Sequence, residues 1–349
     1  MRATLLSSTR SVSLDEVDDP TLKLPTDALV KVTASCVCGS DLWPYRGINE
    51  VTEPKRIGHE FVGVVQEVGS EVRTVAVGDF VIAPFTYGDN TCPHCRAGFN
   101  SACDQLGGWG SVGPDGHLAD GGQGEYVRVP LADGTLVSTP EPPQASMVAS
   151  LLTLSDVMGT GWHAARMAGV RRGNTVVVVG DGAVGLCAVL SAARMGAERI
   201  IAMSRHEPRQ ALASQFGATD IVAERGEEGV AIVHDKTGGV GADAVLECVG
   251  TGQSMQTAFD VLRPGGTVGY VGVPHGDGPP IGQMFRRNLN IAGGVAPARA
   301  YLEELRDLVL AGEIDPGRVF DSTLPLEDVA EAYAAMDERR AIKVMLQPR

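Results

Sequence analysis

Two stretches of this chain set sulfur, nitrogen and oxygen donors at spacings that suit a metal ion. In the first, Cys36-Val37-Cys38-Gly39-Ser40-Asp41 precedes Ile57-Gly58-His59-Glu60. A cysteine pair with one residue between it is a poor chelate for one tetrahedral zinc. One of Cys36 and Cys38 is therefore expected to be structural. Cys38, His59 and a third ligand could assemble a site with Glu60 beside it, although a lone histidine is more often a hydrogen-bonded core residue. Asp156 is the candidate third ligand. It is a single carboxylate in the apolar run Leu154-Ser155-Asp156-Val157-Met158, and burial of a carboxylate calls for a partner or a metal. In the second stretch, Asp89, Cys92, Cys95 and Cys103 fall on a segment punctuated by Pro93 and Gly98. Three thiolates so spaced suit a closed tetrahedral zinc that still needs a fourth ligand. His94 is an alternative to Asp89, but adjacent residues seldom converge on one ion.

A third motif handles phosphate rather than metal. Gly180-Asp181-Gly182-Ala183-Val184-Gly185 lies between the β-branched run Thr175–Val179 and a helix of small residues from Ala183 to Met195. Gly180 serves the tight turn, Gly182 the close approach of a pyrophosphate, and Gly185 the contact of helix with strand. The N–H groups and dipole of the helix start, at Ala183 and Val184, favour the phosphates. A second buried strand, Arg199–Met203, completes a βαβ unit that binds a dinucleotide.

These motifs need elements to hold them. Strands are expected at Ala28–Thr33, Val62–Val68, Glu125–Val129, Ala244–Val249, Thr267–Val273, Leu289–Ala292 and Lys343–Leu346. Helices are expected at Ala145–Leu152, Met255–Leu262 (stopped by Pro264-Gly265-Gly266), Tyr301–Leu310 and Leu326–Met336. Residues 107–124, rich in glycine and aspartate, read as a long irregular loop.

Composition sets the frame. A chain of 349 residues, 44% hydrophobic, can fill two cores. Its net charge of −14 argues against a nucleic-acid or anionic-membrane partner. No apolar run is long enough to span a bilayer, and Met1-Arg2-Ala3-Thr4-Leu5 lacks the basic-then-apolar pattern of a signal peptide. Five of the seven cysteines lie between Cys36 and Cys103, which suggests metal ligands in a reducing cytoplasm rather than disulfides.

Taken together, Cys38-Gly39-Ser40-Asp41, Gly58-His59-Glu60, the thiolate cluster ending at Cys103, Asp156 before Thr160-Gly161, and Gly180–Gly185 resemble a zinc-dependent alcohol dehydrogenase of the medium-chain dehydrogenase/reductase superfamily. The resemblance covers essentially the whole chain. It implies an α/β protein in which a Rossmann unit, a doubly wound parallel sheet over 157–296, is inserted in a β-rich, GroES-like catalytic domain built from 1–156 and 297–349. The active site would lie in the cleft. Cys38, His59 and Asp156 would hold the catalytic zinc, with Glu60 able to swing on as an extra ligand. Asp41 would orient the histidine and Ser40 would take the substrate proton. Thr160 and Val273 would lie beside the nicotinamide, with Val249 also among the cofactor contacts, and Lys343 near the pyrophosphate and Glu60. Asp89, Cys92, Cys95 and Cys103 would hold a structural zinc.

The implied reaction passes hydride between a primary or secondary alcohol, or the matching aldehyde or ketone, and a nicotinamide cofactor. Two residues depart from the family pattern. Asp89 replaces a cysteine, and Trp43 stands where many relatives carry a histidine that ends the proton relay. The rival readings are an NADPH-dependent reductase of activated C=C or C=N bonds with zinc mainly structural, and a non-catalytic nucleotide binder. An apolar substrate pocket drawing on Trp43, Phe85, Trp109 and Trp162 is a further expectation, as is a homodimer or homotetramer. NADP is expected over NAD. An NAD enzyme of this fold usually ends its second strand in an acid, whereas here Ser204 is followed by Arg205 and Arg209, suited to a 2′-phosphate.

Overall fold

The computed structural model describes residues 1–276 and 278–348. The chain forms two units, Met1–Asp156 with Pro297–Arg349, and Val157–Ala296.

In the central unit the elements run α1 (Val157–Met167), β1 (Thr175–Val179), α2 (Ala183–Arg194), β2 (Arg199–Met203), α3 (Glu207–Gln215), β3 (Asp220–Val222), α4 (Gly226–Lys236), β4 (Ala242–Glu247), α5 (Gly252–Asp260), β5 (Leu262–Tyr270), α6 (Ile281–Arg287) and β6 (Asn290–Gly293). The six strands are all parallel in the order β3-β2-β1-β4-β5-β6. Successive strands are added outward on one side of β1 up to β3 and then on its other side from β4, and the carboxyl ends of strands at such a switch point are where α/β sheets bind ligands. The valines of β1 and the Ile-Ile-Ala-Met of β2 are buried, as expected of strands covered on both faces.

The register also explains one difference from the sequence expectation. Pro264-Gly265-Gly266 does not separate helix from strand. Helix α5 ends at Asp260, β5 has begun by Leu262, and the ladder jumps from Ala242↔Leu262 to Ala244↔Thr267. The prolyl-glycyl segment is an irregularity inside the strand, tolerated because Pro264 and Gly265 lie exposed. At its other end α5 is fixed by a capping box between Thr251 and Ser254.

The second unit is dominated by β structure. Its main sheet has seven strands among the described residues, and its longest strand, Ala28–Cys36, pairs with Phe61–Val68, Tyr126–Val129 and the C-terminal Val344–Gln347. Residues 107–124 are less irregular than expected, carrying three two-residue strands at Gly107–Gly108, Ser111–Val112 and Leu118–Ala119. Two apolar clusters support the loops that matter here. One contains Val37 with Tyr333 and Val344, the other Phe61 with Val30 and Val65, so Cys38 and Glu60 each follow or precede a side chain anchored in a core. No helix among the described residues is long and apolar enough to cross a membrane.

Arg128, 1% exposed, makes a fully buried charge pairing in this unit. Its Nε donates to Asp27 Oδ2 at 2.7 Å and its Nη2 to Asp115, while Asp27 also accepts from the amides of Lys23 and Leu24. Removing one partner strands the other charge without water. Asp27→Ala should therefore cost about 3–5 kcal/mol, read as a lowered unfolding midpoint of this unit in a denaturant titration followed by circular dichroism. A loss under about 1 kcal/mol would show that the network is not needed.

Candidate active site and zinc centres

The first donor cluster is assembled by hydrogen bonds that reach across the β-rich unit. Cys36 ends its strand paired with Met345, and the next amide, Val37, donates to the carbonyl of Val344. The strand ends at Cys36, which is buried, and two residues further on, outside the strand, Cys38 joins the cluster. The chain turns at Cys38, whose amide donates to Asp41 Oδ2 at 2.9 Å. Asp41 Oδ1 lies 3.2 Å from His59 Nδ1. With Nδ1–H directed at that carboxylate, Nε2 faces Asp156 Oδ2 at 3.3 Å, and Cys38 Sγ lies 3.5 Å from the same oxygen.

Asp156 is placed by its neighbour. Ser155 Oγ donates to the carbonyl of Phe61, one residue beyond Glu60, and the Ser155 carbonyl accepts from the amide of Phe85. Gly58 makes the His59 segment possible: its φ is +98°, and a Cβ there would stand 2.6 Å from the amide nitrogen of Gln123. Gln123 in turn donates to Asp41 and to the carbonyl of Cys36, and accepts from the Tyr333 hydroxyl at 3.1 Å. Gln123, Ser155 and Tyr333 were not legible from the sequence as parts of the site, since no local motif marks them.

The ligand-donor atoms of Cys38, His59, Glu60 and Asp156 all lie within 4.8 Å of one another. Their chemistry calls for a cation. Burial, then the charge of Asp156, pushes the Cys38 thiol up; burial pushes the Glu60 carboxyl up against the pull of Lys343. Burial by itself would lower His59, yet Asp41, Cys38 and Asp156 together hold it well above the usual imidazole range. The soft, borderline and hard donors gathered here suit zinc, and Glu60 Oε2 is buried without a hydrogen-bond partner. His59 bound through Nε2, with Nδ1–H on a carboxylate, is the common arrangement of a metal-ligating histidine.

Ser40 lies exposed on the turn between Cys38 and Asp41. Lys343 lies against Glu60. It is 1% exposed, with Nζ 2.7 Å from Glu60 Oε1 and 3.3 Å from the Val37 carbonyl, so its charge is committed to the buried carboxylate. Trp109 is likewise core, stacked edge-on against Phe61 and donating Nε1–H to the Pro84 carbonyl, and Trp162 is buried at 5% exposure.

In the second cluster, ligand atoms of Asp89, Cys92, Cys95 and Cys103 also lie within 4.8 Å. Burial pushes the Cys103 thiol up, while the amides of Asp89 and Gln105, both donating to its Sγ at 3.3 Å, pull the other way. Asp89 Oδ1 accepts from the amides of Thr91 and Cys92; burial would raise this carboxyl, but those two bonds lower it, keeping it ionised. Burial and the neighbouring thiols push Cys95 up to about 12, the mark of a crowded thiol site in need of a cation. His94 is 58% exposed beside Asp104 and is not among the converging donors, of which Asp89 is the fourth.

The glycine fingerprint occupies the β1–α2 turn. Gly185 abuts the Gly180 carbonyl so closely that any Cβ would overlap it. Gly182 is different. Its φ of −76° suits any residue and a Cβ there would meet nothing within 4 Å, so the fold itself does not require glycine and the backbone there is open to close approach. Ala183 and Val184 open α2 with free first-turn amides. Val249 and Val273, 42% and 54% exposed, follow β4 and β5 at the same sheet edge, and Thr160 is half-buried on α1. Ser204, Arg205 and Arg209 stand at the end of β2. However, Ser204 Oγ donates to Asp181 Oδ2 at 2.9 Å and Arg209 Nη1 lies 3.3 Å from Asp181 Oδ1, so only Arg205 extends openly to solvent.

Comparison with known proteins agrees with this geometry. Residues 24–141 match the family model of the alcohol dehydrogenase GroES-like domain, and residues 183–311 that of the zinc-binding dehydrogenases. The chain is 37% identical over 344 residues to a probable zinc-binding alcohol dehydrogenase of Mycobacterium tuberculosis, covering 97% of this chain and 86% of that protein. It is 35% identical over 357 residues to zinc-type alcohol dehydrogenase B of Aspergillus flavus, covering 99% and 81%. Among solved structures, the alcohol dehydrogenase TADH of Thermus sp. ATN1 superposes with a TM-score of 0.91 at 34% identity, each chain covered completely. The chain belongs to the zinc-dependent alcohol dehydrogenases of the medium-chain dehydrogenase/reductase superfamily.

Two distinct donor clusters should give two zinc ions per chain by elemental analysis. Cys95→Ser should remove one of them and lower the thermal midpoint, while turnover per folded molecule falls far less. A wild-type content of one zinc, lost only on replacing Cys38, would refute the second centre.

Proposed function

We propose that Cys38, His59 and Asp156 hold the zinc on which alcohol oxidation depends, that Glu60 is a reserve ligand, and that Asp89, Cys92, Cys95 and Cys103 hold a second, structural zinc. The observation that carries the reading is the convergence of thiol, imidazole and two carboxylates on one point, with Asp41 orienting the histidine. When bound, the zinc supplies Lewis acidity that lowers the pKa of an alcohol hydroxyl, and the nicotinamide supplies the hydride acceptor. Ser40 is exposed beside Cys38, where its hydroxyl can take up the substrate proton. Trp43 cannot pass that proton on, because an indole donates but does not accept, so water or another base ends the relay. Lys343 holds Glu60 through Oε1, which leaves Oε2 as the oxygen that could turn to the metal.

The reaction proposed is hydride transfer between a primary or secondary alcohol and a nicotinamide cofactor. Gly180, Gly182, Ala183, Val184 and Gly185 cradle the pyrophosphate, and Thr160, Val249 and Val273 serve the remainder. NADP is proposed over NAD, supported by Ser204 in place of an acid and by the open guanidinium of Arg205. Phe285 and Ile281, 85% and 67% exposed on α6, support assembly with further copies of this chain. A cytoplasmic location fits the unbridged cysteines, none of which forms a disulfide among the described residues.

Asp156→Ala should abolish alcohol oxidation followed at 340 nm, yet bind dinucleotide as the wild type does; full activity would sink the ligand assignment. The ratio of kcat/KM for NADPH over NADH should exceed one in the wild type. It should fall roughly tenfold to a hundredfold in Arg205→Ala, the worth of one charge-assisted hydrogen bond. A wild-type ratio below one would reverse the cofactor assignment.

A further inference from the structure

The end of β2 carries no acid, yet a carboxylate is present there. Val179 of β1 pairs with Met203 of β2 in parallel register, so the next residues, Gly180 and Ser204, leave the sheet side by side. Asp181 follows Gly180, and its side chain crosses to the neighbouring strand end. Oδ2 accepts the Ser204 hydroxyl at 2.9 Å, and Oδ1 faces Arg209 Nη1 at 3.3 Å. Ser204 is itself 2% exposed and held by Gln210, whose side-chain amide donates to its carbonyl at 2.7 Å. The Asp181 side chain keeps 11% of its surface exposed and lies next to Gly182, where the backbone is open to a ligand. Each carboxylate oxygen can accept more than the single bond it receives here.

We infer that Asp181 reads the 2′ position of the adenosine ribose, substituting from the fingerprint turn for the acid missing at the end of β2. This rests on the reading of this unit as a dinucleotide-binding one. A ribose diol donates hydrogen bonds to the free lone pairs of Asp181. A 2′-phosphate meets a like charge instead, and finds Arg209 already neutralised, which leaves Arg205 as its main partner. Asp181 is thus a specificity-determining residue that opposes NADP, while Arg205 favours it. Ser204 and Arg209 are positioning residues that hold the carboxylate in place.

The test is calorimetric titration of the full-length protein with ADP-ribose and with 2′-phospho-ADP-ribose, which needs no zinc and no turnover. Asp181→Ala should weaken ADP-ribose about tenfold while leaving the phosphorylated ligand unchanged or tighter, the loss expected of a charge-assisted bond. Ser204→Ala should move the ratio the same way by less. Asp181→Ser repeats the measurement where Asp181→Ala does not fold, and avoids the labile Asn-Gly pair that an Asp181→Asn change would create. Equal weakening of both ligands would make Asp181 merely structural, and an unchanged ratio would remove it from recognition; either overturns the inference. The wild-type ratio tests the proposed NADP preference separately, since it can favour either ligand while the response to Asp181→Ala still holds.

Discussion

The carboxylate of Asp41 is the point on which the metal site depends. One oxygen receives the backbone amide of Cys38 and the side-chain amide of Gln123, and the other faces His59 Nδ1. A half-buried carboxylate with those partners is satisfied on every side, and satisfying it fixes the cysteine and the imidazole relative to each other. Because Gln123 is held by Tyr333, the orientation of His59 is decided partly by a helix near the C-terminus. The strand Val344–Gln347 closes against Ala28–Cys36 for the same purpose, steadying the segment that delivers Cys38.

Charge explains why the two donor clusters differ. Around Cys38 the acids outnumber the bases: Asp41, Glu60 and Asp156 are set against His59 and the buried Lys343. Such a group tolerates burial only with protons or a cation among its donors. Glu60 is divided between Lys343 on one oxygen and an unpartnered second oxygen, so the site has a ligand in reserve. Around Cys103 the donors are four and the backbone itself supplies N–H bonds to sulfur. That pattern suits a closed, structural centre, whereas the first leaves a position for an exchanging oxygen.

In the central unit the division is between what the packing imposes and what it leaves open to a ligand. Gly185 is demanded by the packing of α2 on the β1 turn, while Gly182 is demanded by nothing in the protein. Asp181 adds a side chain to a turn otherwise made for backbone recognition, and it is anchored by the strand next to its own.

Much of this protein was already written in local sequence. Runs such as Thr175–Val179 and Arg199–Met203, β-branched or apolar and bounded by turn residues, read as buried parallel strands, and the observed limits coincide with those runs. The glycine fingerprint and the thiolate spacing carry their chemistry within a few residues, because chelation and tight turns are short-range constraints. Asp156 stood out as a lone carboxylate in apolar surroundings. What only the tertiary structure decided is how separated groups meet: Gln123 and Tyr333 behind Asp41, Ser155 on Phe61, Lys343 on Glu60, and Asp181 beside Ser204. Each is a hydrogen bond or ion pair between segments distant along the chain or on different strands. Its partner is chosen by sheet register and by the need to satisfy buried polar groups, neither of which leaves a periodic trace in the sequence.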